Sequence, residues 1–131
     1  MKRSKFFIVK LPIYNAEIGV SIGQNVGDLK KSILRRWNID EENLPKEDFQ
    51  EHQQASVLCV TKGEHYYPYC IRFKQNPIKM DIDGHATIAH EVFHTVYRLL
   101  NSRGLKLTYE SEEAFTYLMG HLSREIYKNL R

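Results

Sequence analysis

The sequence predicts an α+β fold built on a small mixed or antiparallel sheet, and three observations carry that prediction. β-branched and aromatic residues crowd two stretches before residue 75, helical spacing of apolar residues takes over beyond residue 84, and Gly, Pro and Asn punctuate the changes between them. At 131 residues with 42% hydrophobic content, the chain fits one domain, residues 1–131, with enough core to fold without staples.

Residues 5–22, KFFIVKLPIYNAEIGVSI, read as two strands joined at a Pro/Asn turn. Asn25 to Asp28 then opens a short amphipathic helix that runs to about Trp37, with Leu29, Ile33, Leu34 and Trp37 at helical spacing. The acidic, polar stretch NIDEENLPKEDFQEHQQ reads as a surface loop. ASVLCVTKGEHYYPYCIRFKQN holds two β-prone runs around Lys62-Gly63, a hairpin signal. Pro68 lacks a backbone donor, so its strand is expected at a sheet edge or at a bulge.

A long helix is predicted over residues 85–103, with Ala89, Val92, Phe93, Val96, Leu99 and Leu100 as its apolar face and Gly104 just past its end. Ser111 is expected to cap a final helix running towards Leu130, striped by Ala114, Leu118, Leu122 and Ile126.

Charge and composition narrow the function classes. The net charge of +3, from nineteen basic and sixteen acidic residues mixed along the chain, is too mild for a strong nucleic-acid reading. The terminal MKRSK and the basic helix LKKSILRRW are read as solvated faces, so a nucleic-acid partner is not expected. No apolar run reaches the length of a membrane span, and the stretch after Lys5 is broken by Lys10 and Pro12, so neither membrane association nor a signal peptide is expected. The expected compartment is the cytoplasm. There, Cys59 and Cys70 are expected to be reduced residues of neighbouring strands rather than a bridge.

One stretch carries distinct chemistry: AHEVFH, residues 89–94, inside the predicted long helix. Four residues advance an α-helix by about 400°, so His90 and His94 stand about 40° apart around the axis and about 6 Å apart along it. One metal ion can take both rings. Glu91 is rotated by about 100° from His90, which in an H-E-x-x-H helix sets its carboxylate beside a metal-bound water rather than on the metal. Zinc suits the nitrogen donors, and a catalytic zinc keeps three protein ligands with water in the fourth position.

The third ligand must come from elsewhere. A Gly and a third His downstream would provide it in the metzincin arrangement, but Tyr97 and Leu100 occupy those positions. A Glu from the next helix is the other solution, and SEEAF offers Glu112 and Glu113 in its first turn. Periodicity favours Glu113, which adjoins the apolar stripe beginning at Ala114, whereas Glu112 points further towards solvent. Both acids also suit a helix N-terminus for purely structural reasons.

HEVFH followed nineteen positions later by Glu113 resembles the gluzincin zinc metallopeptidases, especially the compact zincin-like domains of ImmA/IrrE-type peptidases and of short phage-encoded proteins. The resemblance covers chiefly residues 81–130. It implies a small mixed sheet packed on the motif helix, an edge strand where an extended peptide substrate pairs, zinc on His90, His94 and Glu113, and Glu91 as catalytic base. In better-known gluzincins an acidic residue one turn after the ligand Glu steadies a ligand histidine; here that position is Tyr117.

The chemistry that follows is hydrolysis of a peptide bond in a protein or peptide substrate, with Zn2+ as cofactor and Glu91 as general base. Tyr117, Tyr97, Tyr109 and His85 are all candidates to stabilise the oxyanion. His121, two turns beyond Glu113, is too far from it to join as a fourth ligand, and His52 and His65 carry no assigned role. Asp81 and Asp83 precede the motif helix and are expected to cap it, with steadying a ligand histidine ring as the other role open to them. The alternative function is a non-catalytic zincin-like binding module, or a regulator acting through protein or nucleic-acid contacts. Glu91 argues against it, because a structural metal site needs no general base.

Overall fold

Period-two patterning makes Lys5–Leu11 (β1) and Ala16–Ile22 (β2) an antiparallel pair, with Ile8 opposite Gly19. A single 3-10 turn, Pro12–Tyr14, joins them, and Asn15 takes the left-handed conformation that closes it (φ 47°). The computed structural model describes residues 3–39, 41–44, 55–59, 68–75 and 78–130. It divides the chain into two compact units, Met1–Ile78 and Lys79–Arg131. Among the described residues the fold is α+β, with a small mixed sheet of four strands and three α-helices.

In the first unit β2 pairs in parallel with Tyr69–Phe73 (β4), which pairs antiparallel with Ala55–Cys59 (β3), giving the order β1-β2-β4-β3. Pro68 therefore does not mark an edge strand. It sits one residue ahead of β4, outside the hydrogen-bonded register, and its missing donor costs the interior of the sheet nothing. The predicted turn at Lys62-Gly63 lies outside the described residues, as do His52 and His65.

Val26–Trp37 (α1) starts where Asn25 accepts a hydrogen bond from the Asp28 amide at 2.8 Å, an N-cap, and ends at Asn38 in the left-handed region (φ 49°). Leu29, Ile33 and Trp37 form a buried cluster with Leu58 and Cys70 on one face of the sheet. Each such side chain contributes about 1.5–3 kcal/mol by leaving water. Close approach requires Gly19: a Cβ there would fall 2.8 Å from the Trp37 ring. Glu17 accepts from the Trp37 indole at 3.2 Å and pairs with Arg36, while Gln24 links the hydroxyls of Ser21 and Ser32. These bonds fix the helix to the strand it covers.

The acidic stretch after α1 is not wholly a surface loop. Glu41–Asn43 make a 3-10 turn, and Leu44 is buried in the same cluster as Trp37. Cys59 and Cys70 are not joined by a disulfide. The register opposes Leu58 to Cys70 and Cys59 to Tyr69, so the two cysteines point to opposite faces.

The second unit is a helical hairpin. Ile82–Ser102 (α2) is capped by Asp81, whose carboxylate accepts from the Gly84 amide at 2.9 Å. Gly104, with φ 83°, follows its end. Glu112–Lys128 (α3) runs back antiparallel: Tyr97 meets Phe115 at one end (ring centroids 6.4 Å) and His85 stacks on Tyr127 at the other (5.6 Å). Ser111 stands at the N-cap position without a cap hydrogen bond. Its hydroxyl turns back into the connecting loop, donating to the Lys106 carbonyl and accepting from the Thr108 amide.

The buried face of α2 is rotated from the predicted one. Ile88, Glu91, Val92, Thr95, Val96, Leu99 and Leu100 are buried, while Ala89 and Phe93 are exposed. Thr95 can sit inside because its hydroxyl donates to the Glu91 carbonyl at 2.8 Å, one turn back. On α3 the stripe begins at Phe115 rather than Ala114 and continues through Leu118, Leu122 and Ile126. No described helix is long and apolar enough to cross a membrane.

Candidate metal centre

His90 and His94 lie one turn apart on α2, as helical spacing requires, with His90 exposed and His94 half-buried. Their Nε2 atoms approach to 3.0 Å, with ring centroids 4.5 Å apart and planes at 74°. Two nitrogens bound to one tetrahedral zinc at about 2.05 Å stand about 3.3 Å apart. The pair therefore fits two corners of a zinc site with a displacement of a few tenths of an ångström. Without an ion, the same geometry suits a hydrogen bond between one protonated and one bare ring nitrogen.

Glu91 is different in kind from its neighbours. It is 7% exposed, one of the few charged side chains so deeply buried. Burial pushes its carboxyl above the usual range, opposed by the positive fields of His90, His94 and Arg98. A carboxylate that is reluctant to ionise, held within the field of two imidazoles, can accept a proton from a neighbouring water. Arg98 is a contributor to this site that residue type alone does not single out. Its spacing of seven residues from Glu91, two helical turns on the same side, is the signal that points to it.

Glu113 stands exposed in the first turn of α3, where its carbonyl accepts from the Thr116 hydroxyl. Because Tyr97 and Phe115 are level across the hairpin, Glu113 is level with about Leu99, roughly 7.5 Å beyond His94 along the axis. Among the described residues no three His, Cys, Asp or Glu side chains are grouped closely enough to hold one ion. The histidines are thus brought together, and Glu113 is not brought to them. His121, half-buried, is level with Glu91 by the same reckoning but joins no such group.

No match to a known protein decides the matter. No family model matches the chain, and neither a curated protein nor a solved structure does.

The oxyanion candidates separate by environment. Tyr109 and Tyr117 are 90% and 72% exposed, and His85 is engaged with the Tyr127 hydroxyl at 2.6 Å. Tyr97 alone joins the histidines through a run of ring contacts: His90 to His94, His94 to Phe93, Phe93 to Tyr97. It extends from the pair along the exposed side of α2.

Proposed function

We propose that this chain is a zinc-dependent peptidase of the gluzincin type, with a minimal zincin-like arrangement in which His90, His94 and Glu113 hold the metal and Glu91 is the general base. The convergence of the two Nε2 atoms to 3.0 Å is the observation that carries the reading. A bound zinc would supply a water acidified towards neutrality and a Lewis acid for the scissile carbonyl. The residues of the chain then have separate tasks. The two histidines, presented by consecutive turns of a capped helix, bind through nitrogen. Glu91 takes a proton from water and returns it to the leaving amine, and its burial suits it to that exchange by raising the basicity of its carboxylate. Glu113, in the first turn of α3, would be the third ligand. The substrate class is a protein or peptide, acted on in the cytoplasm.

One observation favours the second reading, a non-catalytic module in which the histidines only pair with each other: the separation of Glu113 from them along the hairpin. Elemental analysis of the purified protein, with His94→Ala and Glu113→Ala alongside, distinguishes the two. About one zinc per chain, lost in both variants, together with peptide cleavage lost in Glu91→Gln, is the expected result. Absence of zinc after reconstitution would overturn the proposal.

A further inference from the structure

At the end of the helical hairpin remote from Glu113, Met80 and the last turns of α3 border an open cleft of about 500 Å³, lined by Met80, Ser123, Arg124, Tyr127, Lys128 and Leu130. That volume lies within the range of small-molecule sites. The cleft has no part in the histidine centre, and its lining separates into two chemistries.

Met80, Leu130 and the Tyr127 ring supply apolar surface, and Met80 is left 49% exposed. Met is unbranched and adapts to the shape of what it contacts. Tyr127 is fixed by stacking on His85 and by the 2.6 Å contact of its hydroxyl with His85 Nδ1, so it forms a rigid wall. Arg124 and Lys128 supply positive charge. Lys128 is paired with Glu125 at 2.9 Å, whereas Arg124 makes no ion pair among the described residues. Gly120, one turn back, leaves room for the guanidinium: its Nη1 is 3.4 Å from where a Cβ on Gly120 would stand. Among the described residues, Arg124 and Lys128 against Glu125 leave one net positive charge at the cleft, which matches a monoanion better than a phosphate dianion. A guanidinium also matches a carboxylate in geometry, by two parallel hydrogen bonds.

We propose that this cleft binds a small amphipathic carboxylate, with its anionic group on Arg124 and its apolar body against Met80, Tyr127 and Leu130. The apolar surface provides affinity, and Arg124, which makes no ion pair among the described residues, selects the charge.

Decanoate is the probe, titrated into the full chain below its micelle concentration and followed by amide NMR shifts, with decanol and decylamine as neutral and cationic controls. Saturable one-to-one binding, with shifts at Met80, Lys128 and Leu130, is expected for decanoate. Decanol and decylamine should bind at least tenfold more weakly. Arg124→Ala, an exposed position, should weaken decanoate about tenfold and bring it level with decanol, while Lys128→Gln weakens it by less than threefold. Equal binding of all three probes, shifts confined to other surfaces, or full affinity in Arg124→Ala would each overturn the assignment. The three-probe comparison on the wild-type chain decides the question even if a variant loses its fold.

Discussion

Burial of Glu91 ties stability to the residue proposed to act as base. The folded chain holds the Glu91 proton more tightly than the unfolded chain, so unfolding releases a proton and stability falls as pH rises through the carboxylate range. Glu91→Gln removes the charged form and with it that loss. Its melting temperature should exceed the wild-type value at about pH 8 and converge on it as pH falls below the ordinary glutamate pKa of about 4.3. Thermal unfolding followed by circular dichroism at several pH values measures this, and parallel curves for the two proteins would exclude the charge as the cause. The cysteines give a second test at this scale. Burial pushes the Cys70 thiol up to about 12, while Cys59 is only half-buried. In native protein near pH 8 a thiol reagent should label Cys59 first, and Cys70 should react only once denaturant opens the sheet. Comparable native labelling rates would contradict the face assignment of the two residues.

Among the elements, α3 contains an interior glycine, Gly120, whose missing side chain faces only the Arg124 guanidinium. The position of a Cβ on Gly120 meets only the flexible end of Arg124, and glycine costs a helix interior about 1 kcal/mol relative to alanine. Gly120→Ala should therefore raise unfolding free energy by about 0.5–1 kcal/mol in urea titrations. Destabilisation instead would mean that the helix needs the missing side chain. What the sequence reveals at this scale is local. β1, β2 and α1 are legible because period-two alternation, a Pro/Asn turn and an Asn25 cap all lie within a few residues of the elements they define. The i, i+4 histidines are legible for the same reason. Tertiary context decides what was misread. The buried face of α2 takes in Thr95 and leaves out Ala89 and Phe93, and Thr95 can be buried because its hydroxyl donates to the Glu91 carbonyl. The height of Glu113 depends on the loop from Arg103 to Ser111, and spacing along the chain does not fix it. The pairing of β2 with β4 is equally invisible to local pattern, and that is why Pro68 suggested an edge.

For the whole molecule, metal binding and folding should be one equilibrium. A ligand that binds only the folded chain stabilises it by about 2.7 kcal/mol at a hundredfold excess over its dissociation constant. For a chain of this size that corresponds to a rise in melting temperature on the order of 10 °C. Zinc should produce that rise in the wild-type protein, a chelator should reverse it, and His94→Ala should abolish it in calorimetry. An unchanged melting temperature over a full zinc titration would remove the metal from the account.

The sheet order carries one more consequence, and it concerns time. β2 finds its parallel neighbour about fifty residues later in the chain, Ile18 against Tyr69, whereas β1 is joined to β2 by a short turn. During synthesis from the N-terminus the β1–β2 ribbon can close early, but the other edge of β2 waits for β4 to leave the ribosome. Through that interval Ile18, Val20 and Ile22, fully covered in the finished protein, lie on a strand with open backbone bonds. A nascent chain in that state invites pairing with another copy of itself, so the yield of native protein should rise the sooner residues 69–73 emerge from the ribosome.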